Sequence, residues 1–269
     1  FYPENLKEVT PLMDGESYTR ISPDGSKILK MSFSTDQQTA VLFDIKKARG
    51  ANLTSFDGYI ISPDGSRILI QTNTHHIYRH SFTATYYIYS VENNKLEPLS
   101  EGGPQQTPLF SPDGNQIAFV RDNNIFLVKL LFNNSESQVT KDGKFNEVIN
   151  GIPDWVNEEE FTNDRSMVFN ADGTMLCWIR YDESAVKMFS FPWYKGSNPE
   201  LTQYSDYPGA YSYKYPLPGY DNSKVSVFSF DIKAHQTRKI QLPLETDGYI
   251  PRIKMTSDAS KVAVFTMNR

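Results

Sequence analysis

The sequence predicts an all-β fold, a partial β-propeller of four-stranded antiparallel blades, with about four and a half blades in 269 residues. Three observations predict it. One short turn motif recurs five times. The first recurrences lie 40 and 49 residues apart, about the length of one four-stranded blade. Apolar residues between the motifs alternate with period two, and no long helical period is visible.

The motif copies come in order along the chain. Ile21-Ser22-Pro23-Asp24-Gly25 precedes Lys27-Ile28-Leu29, and Ile61-Ser62-Pro63-Asp64-Gly65 precedes Arg67-Ile68-Leu69. Phe110-Ser111-Pro112-Asp113-Gly114 precedes Gln116-Ile117-Ala118-Phe119. Two degenerate copies follow, Phe169-Asn170-Ala171-Asp172-Gly173 before Met175-Leu176, and Met255-Thr256-Ser257-Asp258-Ala259 before Lys261-Val262. Pro presets φ at a turn position, Asp bonds its own backbone, and Gly supplies φ > 0. Each copy therefore predicts a tight hairpin between two strands. The third unit shows four strands, Pro108–Phe110, Ile117–Val120, Ile125–Leu130 and Gln138–Thr140. Its turns fall at Arg121–Asn124 and Asn133–Ser135. The later spacings of 59 and 86 residues predict insertions. The Tyr-rich stretch from Tyr204 to Tyr220, with Pro208, Pro216 and Pro218, reads as an irregular embellishment of the fourth unit. The chain opens on Phe1 and stops two strands into a fifth unit, which predicts a portion of a longer protein.

Composition bounds the function. Lys+Arg is 27 and Asp+Glu is 32, a net charge of −5. That balance excludes a broadly basic nucleic-acid binder and disfavours anionic membranes. The apolar runs fall short of the ~20 residues that span a bilayer, and no charged-then-apolar leader segment is present. Cys177 is the sole cysteine. No intrachain disulfide is possible, and Leu176-Cys177-Trp178 reads as a buried apolar run.

Two stretches carry candidate chemistry. Between the third and fourth units runs Asn150-Gly151-Ile152-Pro153-Asp154-Trp155-Val156-Asn157-Glu158-Glu159-Glu160-Phe161. Pro153 and Asp154 signal a helix N-terminus. On a helix, neighbouring residues diverge by about 100°, so two adjacent Glu can be aimed at one point. Paired carboxylates repel, and a metal ion or a substrate ammonium relieves the repulsion. The same composition also suits a solvated acidic turn. The second stretch, His75 to Tyr89, lies between strands near Arg67–Gln71 and Tyr86–Ser90. Its three histidines lack metal-ligand spacing and partners, so no metal and no cofactor is expected. Arg79 in the connecting loop offers a planar fork suited to a carboxylate or carbonyl oxygen, or is an ordinary loop cation. No Gly-x-Ser-x-Gly elbow and no phosphate-binding loop occurs, so no catalytic residue is expected in this chain.

These stretches resemble the dipeptidyl peptidase IV family of serine peptidases. Asp154-Trp155-Val156-Asn157-Glu158-Glu159-Glu160 is similar to the family's Asp-Trp-Val-Tyr-Glu-Glu-Glu segment, with Asn157 in place of Tyr. Arg79-His80-Ser81-Phe82-Thr83-Ala84-Thr85-Tyr86 resembles Arg-His-Ser-Tyr-Thr-Ala-Ser-Tyr. Tyr181-Asp182-Glu183-Ser184 and the Tyr215-Pro216 region resemble further family segments. The resemblance implies that residues 1–269 are part of an N-terminal, eight-bladed propeller, with a C-terminal α/β-hydrolase domain carrying the catalytic triad beyond Arg269. It implies that Glu159 and Glu160 grip the ammonium of a peptide substrate with a free N-terminus, and that Arg79 contacts a substrate carbonyl. It further implies release of Xaa-Pro or Xaa-Ala dipeptides, a possible homodimer, and a periplasmic, extracellular or membrane-anchored setting. The alternative is a non-catalytic propeller that binds peptides or proteins.

Overall fold

A computed structural model describes residues 9–196 and 204–269. The chain forms two compact units: residues 1–77, 82–119 and 127–137 in one, and 78–81, 120–126 and 138–269 in the other. The strands assemble into several sheets, of which the first and third are four-stranded, antiparallel meanders. No helix among the described residues is long and apolar enough to cross a membrane.

The first sheet orders β1 (Thr10–Pro11), β2 (Ser17–Ile21), β3 (Lys27–Ser32) and β4 (Gln38–Asp44) in sequence. The second contains β5 (Arg49–Gly50), β6 (Gly58–Ile61), β7 (Arg67–His76), β8 (Phe82–Ser90) and β9 (Lys95–Pro98), in the order β5-β9-β8-β7-β6. Four of these form an antiparallel meander, and the short β5 adds to β9 in parallel. Ile28, Phe43, Phe56, Ile68, Ile70, Tyr89 and Leu96 form one core cluster in the first unit. Phe43 sits edge-on to both Phe56 and Tyr89, a favoured aromatic geometry.

The third sheet runs β10 (Gln106–Phe110), β11 (Gln116–Arg121), β12 (Asn124–Lys129) and β13 (Ser135–Gln138), and supplies residues to both units. Its last strand differs from the expected Gln138–Thr140. The connection from β12 runs through a 3₁₀ turn, Leu130–Phe132, and ends on Asn133 and Asn134, which both take left-handed φ, 54° and 53°, a region Asn visits more readily than most residues. The strand therefore starts at Ser135. Thr140 is instead buried, and its hydroxyl donates to Asn124 Oδ1 and accepts from the Ile125 N–H.

The second unit continues with β14 (Val148–Asn150), helix α1 (Trp155–Phe161), β15 (Met167–Phe169), β16 (Met175–Asp182), β17 (Met188–Trp193), β18 (Gly209–Lys214), β19 (Lys224–Asp231), β20 (Gln236–Ile240), β21 (Tyr249–Met255) and β22 (Val262–Met267). β14, β16, β19 and β20 are neighbours in that order, and β15 also pairs with β16. Trp178 on β16 is buried and stacked on Phe228 of β19, with its indole N–H on Asn150. Cys177 is buried beside it, and desolvation pushes its thiol up to about 11, so it behaves as an inert apolar residue. The Tyr-rich stretch is more regular than expected: β18 pairs with β17 over six residues. Rungs such as Phe191 opposite Tyr211 build a cross-strand aromatic ladder.

All five motif copies connect the hairpins they predict: β2–β3, β6–β7, β10–β11, β15–β16 and β21–β22. The second copy shows the chemistry. Ser62 is buried, its hydroxyl donates to Asp64 Oδ1 at 2.6 Å, and it accepts the Arg67 N–H at 2.9 Å. Asp64 also takes the Ser66 N–H and hydroxyl. Gly65, at φ 72°, donates its N–H to Ser62 C=O. In the degenerate fourth copy Asn170 Oδ1 replaces the serine hydroxyl and accepts the Met175 N–H. Removing the Ser62 hydroxyl leaves the partly buried Arg67 N–H without its partner, so Ser62→Ala should cost about 1–2 kcal/mol. A lowered urea midpoint with unchanged denaturant slope is the expected result.

Candidate functional site

The approach to α1 is set by Gly151. Its φ is 79°, and a Cβ there would lie 3.0 Å from Ile125 and 3.2 Å from Val120, so any side chain there would be strained and would press on both neighbours. Asp154 is the N-cap: Oδ1 accepts the Asn157 N–H at 3.0 Å and the Asn157 side-chain amide at 2.7 Å. That second bond explains what Asn does where the resembling family has Tyr. At the other end Thr162 adopts a left-handed φ of 52° and donates its N–H to Glu158 C=O, a C-terminal cap.

The helix sends its three consecutive glutamates to three environments. Glu158 is 1% exposed. Its Oε1 accepts the backbone N–H groups of His80 and Ser81, both at 2.8 Å. Glu159 lies at the rim with its side chain 14% exposed, and its Oε2 is 2.9 Å from Arg79 Nε. Glu160 is exposed, with no ion pair among the described residues. The structure thus brings Arg79 and Glu159 into contact and leaves Glu160 next to them in sequence on the same helix.

Residues 77–81 join two strands longer than the sequence suggested. β7 runs to His76 and β8 starts at Phe82. His75 and His76 therefore lie within β7, and His80 alone of the three is in the connection. Asn73, at φ 52°, sits at a register shift in the β7–β8 ladder, a bulge that redirects the strand end.

Aromatic residues pack beside the helix. Trp155 contacts Tyr213 at 5.4 Å and Tyr215 at 4.8 Å between ring centroids. Tyr78 reaches Tyr213 at 6.5 Å. Burial, then the neighbouring Tyr211 and the carboxyls of Glu183, Glu158 and Asp154, raise the Tyr78 phenol. Glu183 is 6% exposed, and its carboxyl is pushed up to about 7. Burial is the main cause and the Asp154 charge the second, partly offset by Lys214.

Sequence reasoning set Glu159 and Glu160 apart but gave Glu158 no role of its own. The available signal was geometric: three successive residues span about 200° of a helix, so a packed helix must turn one of them inward. Glu183 and Trp155 carried no local signal of their surroundings.

Comparison with known proteins places this geometry in context. Residues 62–269 match the family described as dipeptidyl peptidase IV (DPP IV) N-terminal region. The Trichophyton equinum protein named dipeptidyl peptidase 4 is 31% identical over 262 residues, covering 95% of this chain and 32% of that protein. The Aspergillus fumigatus protein named "Probable dipeptidyl peptidase 4" is 34% identical over 232 residues, covering 85% of this chain and 28% of its own length. The crystal structure of Porphyromonas gingivalis dipeptidyl peptidase 4 superposes with a TM-score of 0.90 at 40% identity, over 97% of this chain and 36% of that one. The chain spans about a third of the length of these relatives.

Two outcomes follow from the site's geometry. Glu158→Ala strands two backbone donors and should cost about 2–4 kcal/mol. Amide hydrogen exchange at His80 and Ser81 should accelerate first. Glu183 is protonated more readily folded than unfolded, so its burial costs nothing below its ordinary value of 4.5 and destabilises as pH rises toward about 7. Glu183→Gln removes that cost. Its stability relative to the parent should rise by on the order of 2 kcal/mol between pH 4.5 and pH 7.5, read from urea unfolding at each pH.

Proposed function

The chain belongs to the dipeptidyl peptidase IV N-terminal region family, and we propose that it is the substrate-gating, N-terminus-recognising part of a serine-type dipeptidyl peptidase. The proposed products are Xaa-Pro or Xaa-Ala dipeptides. The proposed architecture is an incomplete propeller whose parent carries the α/β-hydrolase domain and its nucleophile outside residues 1–269.

The observation that carries this reading is the Arg79–Glu159 pair at 2.9 Å beside the exposed Glu160. A peptide's α-ammonium offers three N–H donors. Glu159 and Glu160 would accept them as charge-assisted hydrogen bonds, roughly twice as strong as neutral ones. Arg79 supplies an opposite charge to Glu159 and is 74% exposed, so its guanidinium has further donors to turn to a substrate carbonyl oxygen. Amine recognition then acts as a ruler. With the N-terminus fixed, the second peptide bond is presented to the nucleophile, and binding energy remote from that bond is converted into positioning.

The test uses the full-length parent protein with Ala-Pro-nitroanilide and its N-acetylated twin. The expected result is cleavage of the free amine only, with Glu159→Ala/Glu160→Ala lowering kcat/KM by about 100-fold or more, as loss of two charge-assisted bonds implies. Cleavage of both substrates would retain the hydrolase and refute the amine ruler. Cleavage of neither would favour a binding-only propeller.

A further inference from the structure

We infer that Arg252 is a positioning residue for amine recognition, acting through the C-terminal end of α1; this rests on the role proposed above for Glu159 and Glu160. α1 has seven residues, too few to hold its own shape in water. Glu159 and Glu160 lie in its last turn, so the site is placed only as well as that end is held.

The last carbonyls of a helix have no partner within it. Here Arg252, from β21, meets two of the local carbonyls. Its Nη2 donates to Phe161 C=O and, at 3.4 Å, to Thr162 C=O, while its Nη1 donates to the neighbouring Pro251 C=O at 2.8 Å. A guanidinium at a helix C-terminus also complements the helix dipole. A planar fork suits two adjacent carbonyls in a way that a single ammonium does not.

Two further contacts brace the same end. Phe161 packs edge-on to Tyr249, three residues before Arg252 on β21, at 5.6 Å. Just beyond the cap, the Asn163 side chain donates to Ser166 Oγ at 2.9 Å, and Ser166 Oγ lies 2.9 Å from the Tyr181 hydroxyl of β16. Arg252 is the one charged group in this brace. Without it, the carbonyls of Phe161 and Thr162 turn to water, and the final turn carrying both glutamates gains freedom.

The experiment uses the full-length parent protein and steady-state hydrolysis of Ala-Pro-nitroanilide, with Arg252→Met, Arg252→Gln, Arg252→Lys and Glu159→Gln. Competitive inhibition by Ala-Pro dipeptide reports ground-state binding. The expected result for Arg252→Met is a KM and an inhibition constant raised about ten-fold, the equivalent of one good charge-assisted bond. Its kcat should stay within about three-fold of the parent. Arg252→Lys should recover only part of the loss, because it restores the cation but not the planar fork. If Arg252→Met does not accumulate as folded protein, Arg252→Gln, which keeps a donor, is the deciding variant. Unchanged KM and inhibition constant in the deciding variant would overturn the inference. So would an equal fall in kcat and folded fraction, which marks a purely structural role. A Glu159→Gln variant with unaltered KM would instead remove the amine-site reading itself, and this inference with it.

Discussion

One buried carboxyl organises the site. Glu158 turns into the protein from α1 and collects two backbone N–H groups from the His80–Ser81 connection. Burying a carboxyl without partners is expensive, so the connection and the helix are held to a single arrangement. Arg79 is the residue immediately before this clamp, and its guanidinium can therefore meet Glu159 across a fixed distance. The other contacts around the helix refine a geometry set by the capture of two N–H groups on one carboxylate oxygen.

The helix uses one residue type for three tasks. Glu158 fixes backbone, Glu159 pairs with a cation at the rim, and Glu160 faces solvent. Only the angular step of the helix separates them. The surroundings are graded in the same way. At the start of the helix stands the N-cap Asp154, and the buried Glu183 has its affinity for its proton raised chiefly by burial and then by the Asp154 charge. Toward solvent, the net charge is set by Arg79 and two carboxylates. The arrangement leaves a net negative charge at the exposed side of the helix, and burial favours the protonated form of the inner acid.

The five hairpin turns were legible because their chemistry is local: a Ser, Asn or Thr side chain and the Asp two residues on satisfy the turn's backbone within six residues. The N-cap at Asp154 and the helix after it were legible for the same reason. What was misread depends on backbone conformations that residue types alone do not fix, or on residues distant in sequence. β13 begins earlier than expected because a left-handed Asn133-Asn134 pair closes the turn before Ser135, freeing Thr140 to pair with Asn124. The stretch before Tyr220 gave no strand signal amid its prolines, yet β18 is ordered by its partner β17, more than fifteen residues upstream. The histidines near Arg79 looked like loop residues because β7 extends through a bulge that alternation alone does not mark. In the site, Arg79 and Glu159 were identifiable as residues, but their contact spans 80 positions, and the inward turn of Glu158 required knowing which face of α1 is packed.

Trp155 occupies the same helical face as Glu159, one turn earlier, and rests against Tyr213 and Tyr215. The chain has three tryptophans. Trp178 is sealed in the core with its indole N–H committed to Asn150, which leaves its emission insensitive to events at the rim. Trp193 lies in the β17–β18 hairpin. The molecule therefore carries its own optical label on the helix that bears the glutamates, and changes in that helix's surroundings can be followed in the unmodified protein.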